Sequence, residues 1–90
     1  MNHPSRLSAE STTEAIKERI RAALPESVVE VSGQGGHFTI SVVSNQFEGL
    51  AILKKQRLVY SAIKDLMAGD DAPVHAVDRL VTLTPGESGT

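Results

Sequence analysis

Residues 47–67 read FEGLAILKKQRLVYSAIKDLM. This stretch opens with a turn signal, Phe47-Glu48-Gly49, and then runs without Gly or Pro until Gly69. Ile52, Val59, Ile63, Leu66 and Met67 recur at the spacing of one helix face, which predicts a helix over about residues 51–67. Lys54-Lys55-Gln56-Arg57 interrupts that face near the start of the helix. Positive charge there is locally unfavourable, because the N-terminal end of a helix dipole favours anions. Two readings compete: a solvated basic face whose alkyl stems cover apolar surface, or a docking patch for an acidic partner. Charge alone favours the first.

Upstream, residues 28–32 (VVEVS) form a β-branched strand and residues 37–43 (HFTISVV) alternate cleanly. Phe38, Ile40 and Val42 share one side; His37, Thr39 and Ser41 share the other. Gly33-Gln34-Gly35-Gly36 joins the two as an antiparallel hairpin with a loop of four residues or slightly more. Further upstream, Ser11 and Glu14 fit a capping box ahead of Ile16, Ile20, Ala23 and Leu24, and Leu24-Pro25 is a stop. The first helix is therefore expected over about residues 12–24. Downstream, residues 74–84 (VHAVDRLVTLT) form a third strand ended by Pro85-Gly86. The order is α-β-β-α-β. A helical crossover between strands two and three makes those strands parallel. The expected fold class is α+β, a three-stranded mixed sheet with helices on one face. The expected boundaries are a flexible tail at 1–10, a domain at 11–85 and a second tail at 86–90.

Ninety residues allow one domain with one modest core. The net charge of −2 argues against non-specific binding to nucleic acid or anionic membranes. The absence of cysteine excludes disulfides, a thiolate nucleophile and any thiolate metal site built from this chain alone. No apolar run approaches the roughly 20 residues of a membrane span, and residues 1–10 lack the pattern of a secretory signal. A cytoplasmic location is the default expectation.

Catalytic signatures are missing. The glycines at 33–36 lack a P-loop lysine, and no G-x-S-x-G occurs. Those glycines do satisfy the G-x-x-G spacing of a KH nucleic-acid clamp, but they connect two strands and carry no neighbouring Lys or Arg, so a hairpin turn is the better reading. His37 and His75 both open strands beside loops; two histidines alone cannot close a tetrahedral site, so a metal held there needs ligands from a partner.

The sequence resembles the BolA-like proteins over roughly residues 12–85. The resemblance is carried by Gly36-His37-Phe38, by the run from Val42 to Gly49, by Lys54-Lys55-Gln56-Arg57-Leu58-Val59-Tyr60, by Val74-His75-Ala76 and by Leu83-Thr84-Pro85. Lys-Lys-Gln with Val-Tyr shortly after is similar to the IbaG-like bacterial subgroup. The resemblance implies a class II KH-like fold and a non-enzymatic partner of a monothiol glutaredoxin. Such a pair shares a bridged [2Fe–2S] cluster, with one cysteine from the glutaredoxin and a thiol from bound glutathione. His75 matches the ligand of the family's H-A element, and His37 matches the second ligand. Lys54, Lys55 and Arg57 would then face the partner or glutathione. The implied role is iron–sulfur trafficking or iron and stress regulation; the alternative is a KH-like nucleic-acid-binding transcriptional regulator. A homodimer through the exposed sheet edge is a further expectation. The sequence departs from the family pattern in three places. Lys55-Gln56-Arg57 replaces Arg-His-Arg, no C-terminal helix with a Trp is expected after Pro85, and the interval from His75 to Pro85 is one residue longer. That last difference predicts a β-bulge.

Overall fold

The computed structural model describes residues 9–89. Helix α1 spans Ala9–Ala23 and strands β1 and β2 span Val28–Gln34 and His37–Val43. A single 3₁₀ turn, Asn45–Phe47, leads into α2 (Ile52–Ala62), the short α3 (Lys64–Met67) and β3 (Ala76–Leu83). The expected tail at 1–10 lies outside the described residues up to residue 8; Ala9 and Glu10 are helical. Ser11 is therefore inside α1, and the expected capping box is not its N-terminus. Beyond Leu24, Glu26 adopts φ +70° and turns the chain into β1.

The sheet order is β1-β2-β3. β1 and β2 are antiparallel, with Val28 opposite Val43 and Gln34 opposite His37. The connection is thus two residues, shorter than the sequence suggests. Gly35 (φ +62°) and Gly36 (φ +84°) both lie in the left-handed region, as a type I′ hairpin turn requires. β2 and β3 are parallel, as the helical crossover predicts.

The strand phase follows the alternation of the sequence. Val29, Phe38, Ile40 and Val42 are buried against Ile16 and Ile20 of α1, against Leu24 just beyond it, and against Phe47, Val59, Ile63, Leu66 and Val74. Full burial of one such side chain stabilises by about 1.5–3 kcal/mol, so this column is what fixes α1 to the sheet. The bidentate pair from Arg19 to Asp65, at 2.8–3.2 Å, ties α1 to α3 on the exposed rim and adds little by comparison. It does hold the Asp65 carboxyl below the ordinary carboxylate value, through the hydrogen bonds of the guanidinium.

Two features of the long helix differ from expectation. The helix is broken at Ile63 (φ −109°, ψ 13°). There the N–H is shared between the carbonyls of Val59 and Tyr60 at 3.3 and 3.2 Å. The tightened turn brings Leu66 into the core and lets its carbonyl accept the Val74 N–H at 3.1 Å. Second, Ile52 is not on the buried face; it is 59% exposed. The buried stripe is Lys55, Val59, Ile63 and Leu66, four residues at helical spacing of which one is a lysine.

Candidate functional site

β2 and β3 begin side by side, with His37 opposite Ala76. The carbonyl of Gly36 accepts two hydrogen bonds, from the His75 N–H at 2.8 Å and the Ala76 N–H at 3.0 Å. One acceptor thus fastens the backbone at His75 to the residue that precedes His37. Both histidines are exposed. The His75 ring lies against Gly36: a Cβ built there would overlap the ring at Cδ2 and come within 2.8 Å of Cγ. Gly36 is therefore required twice, for the turn and for the seat of His75.

The register of β3 slips between Phe38 and Thr39. Val77 faces Phe38 and Arg79 faces Thr39, leaving Asp78 without a partner on β2. The bulge expected between His75 and Pro85 is at this residue. The Asp78 carboxylate reaches His37 Nδ1 at 3.1 Å.

Among the described residues, no group of three or more His, Cys, Asp or Glu side chains could hold a metal ion. Among the described residues, His37 and His75 therefore have no third side chain placed to ligate a metal with them.

The basic cluster divides into two parts. Lys55 is 7% exposed; its Nζ lies 3.3 Å from Glu87 Oε1. The same oxygen accepts the Thr84 N–H at 2.9 Å, and Thr84 Oγ1 accepts the Glu87 N–H at 3.2 Å. Residues 86–89, expected as a tail, thus include a turn fastened to α2. The Thr84 N–H first, and Lys55 second, hold the Glu87 carboxyl below its ordinary value. Lys54 and Arg57, by contrast, are exposed and line one shallow groove with Leu50 and Leu58. Arg57 also borders a second groove with Tyr60, Lys64 and Met67. This basic and apolar face runs along α2 toward α3, which adjoins Val74, the residue before His75. α2 has neither a side-chain cap nor an acidic residue in its first turn, so Lys54 stands against the dipole with no carboxylate in that turn, whereas Lys55 is compensated by Glu87.

The domain is thus α-β-β-α-β, with two exposed histidines at one sheet end and a basic, partly apolar helix face. The sequence model of the BolA-like protein family matches residues 5–87, and the chain belongs to that family. It is 36% identical to the acid stress protein IbaG of Escherichia coli K12 over 72 residues, 80% of this chain and 82% of that protein. It is 34% identical to BolA-like protein 1 of Pongo abelii over 85 residues, 83% of this chain but 59% of the longer relative. The crystal structure of a Bol-like protein from Babesia bovis superposes with a TM-score of 0.72 at 35% identity, covering 93% of each chain. No helix among the described residues is long and apolar enough to cross a membrane.

Proposed function

We propose that this chain is a non-enzymatic partner of a monothiol glutaredoxin, completing the ligand set of a bridged [2Fe–2S] cluster with His75 and His37. The observation that supports this reading is the Gly36 carbonyl bound to both His75 and Ala76, which holds two exposed imidazoles at one end of the sheet. The donor set suits such a cluster: imidazole is an established ligand of [2Fe–2S] irons, and a cysteine-free chain must take its thiolates from elsewhere. When bound, the cluster supplies one-electron chemistry at a potential raised by nitrogen ligation. The chain itself orients the ligands. Gly36 seats His75, the bulge at Asp78 supports His37, and Lys54 and Arg57 present positive charge to the partner or to the glutathione carboxylates. Lys55 is engaged with Glu87 and leaves docking to the other two.

The test is reconstitution with a monothiol glutaredoxin and glutathione, followed by visible absorption and circular dichroism. A one-to-one heterocomplex with a spectrum distinct from that of glutaredoxin alone, lost in His75→Ala, is the expected result. An unchanged glutaredoxin spectrum would remove the proposal.

A further inference from the structure

We infer that Asp78 is a positioning residue for His37: it holds the imidazole as the Nδ1–H tautomer and so directs any metal to Nε2. The contact is between Nδ1 and a carboxylate oxygen at 3.1 Å. A carboxylate only accepts, so the ring nitrogen facing it carries the hydrogen. In a neutral imidazole the other nitrogen, Nε2, then keeps its lone pair. Free imidazole has no such constraint and rotates about its side-chain torsions. A carboxylate on the distal nitrogen fixes both tautomer and ring plane, which is how metal-binding histidines are commonly held.

The backbone explains why Asp78 is available. Every other residue from Ala76 to Leu83 has a partner on β2, whereas Asp78 is skipped by the ladder. A bulged residue locally bends and twists its strand and re-aims its side chain. Here the side chain crosses to the first residue of β2, on the sheet face away from the helices. Without the extra residue, position 78 would pair with Thr39 on the same face as His37; the slip instead leaves Asp78 out of the ladder, between the residues opposite Phe38 and Thr39. A one-residue insertion into a strand ordinarily costs ladder hydrogen bonds; this one supplies a carboxylate at the base of an exposed histidine.

The tautomer part of this inference stands on the chain alone, while its consequence for a metal rests on the cluster reading above. The experiment separates them. Histidine-¹⁵N-labelled chain, without metal or partner, is examined at pH 8 by long-range ¹H–¹⁵N correlation. His37 is expected to show a protonated Nδ1 and an unprotonated Nε2. Asp78→Ala should shift His37 toward the Nε2–H form that free imidazole prefers, with His75 unchanged as the internal reference. Asp78→Asn, whose carbonyl oxygen also accepts, should restore the Nδ1–H form. An identical His37 pattern in the parent chain and Asp78→Ala would overturn the inference, whatever the cluster does. In the reconstituted heterocomplex, cluster release should accelerate about 10–100-fold in Asp78→Ala, the usual cost of losing such a support, and recover in Asp78→Asn. A normal tautomer response with no His37-dependent cluster would retain the positioning role and reject the cluster reading.

Discussion

Lys55, on the buried stripe of α2, places its Nζ 3.3 Å from the Glu87 carboxylate beyond the end of β3. The side chain spans from the helix layer to the C-terminal turn, and its alkyl stem covers apolar surface along the way. Lys55→Ala should therefore destabilise the fold by about 1–2 kcal/mol, mostly by uncovering that surface. In a domain of this size about 1 kcal/mol corresponds to a Tm change of roughly 4–8 °C. Lys55→Met keeps the stem and should lose less. Lys54→Ala and Arg57→Ala should leave stability within about 0.5 kcal/mol while weakening the proposed complex with a monothiol glutaredoxin. Thermal denaturation alongside a binding titration checks the division; a Lys55→Ala chain as stable as the parent would refute it.

The Glu87 carboxyl, held low by the Thr84 N–H and then by Lys55, sets the acid behaviour of the C-terminal turn. Its folded pKa lies below the unfolded one, so its contribution is fully present above the ordinary glutamate value of 4.5 and is lost as pH falls through the folded value. A carboxyl-detected NMR titration should place the Glu87 midpoint below 4.5, with the Thr84 amide moving in step. In Lys55→Ala the midpoint should rise without reaching the ordinary value, because the backbone donor remains. A midpoint indifferent to Lys55 would exclude the ion pair.

The strand phase, the strand order and the helix order were legible in the sequence because they rest on local patterns. Phe38, Ile40 and Val42 alternate, Leu24-Pro25 stops a helix, and the glycine-rich stretch 33–36 marks a hairpin, although its turn is shorter than the four residues expected. What the sequence did not reveal depends on distant partners. Lys55 lies four residues before Val59 and eight before Ile63, so helical spacing already puts it on the core face. A charged residue is counted as polar in any hydrophobic stripe, however, and its partner Glu87 is 32 residues away. Apolar character alone puts Ile52 on the stripe, in the place that Lys55 occupies. The same holds for the histidines. The resemblance named His37 and His75, and the longer interval before Pro85 implied a bulge. Only the register assigns the bulge to Asp78 and sets it beside His37.

Thr82 is 4% exposed and lies opposite Val42 on the helix-facing side of the sheet. Its Oγ1 has no hydrogen-bond partner among the described residues. An unsatisfied buried hydroxyl costs about 1–3 kcal/mol relative to a paired one. Thr82→Val has nearly the same shape and removes the polar atom, so it should raise stability by about 1 kcal/mol. Equilibrium denaturation with an unchanged m-value is the measurement; a destabilised variant would show that Oγ1 is hydrogen-bonded in solution.

The adjacent glycines of the hairpin should respond in opposite ways. Gly35 has φ +62° and nothing within 4 Å of a Cβ built on it. Gly35→Asn gives an Asn-Gly turn, the pairing that type I′ hairpins favour, and should be neutral or slightly stabilising. Gly35→Ala should cost about 1 kcal/mol of backbone strain alone. Gly36 has φ +84°, and a Cβ there overlaps the His75 ring. Its carbonyl also anchors the His75 and Ala76 N–H groups, so relief of the overlap must move either the ring or the start of β3. Gly36→Ala should therefore cost about 2 kcal/mol or more, shift the His75 ring resonances and abolish the heterocomplex spectrum. Gly35→Ala should leave both His75 readouts intact. Equal effects at the two positions would mean that turn strain accounts for everything and that His75 has no fixed seat on Gly36.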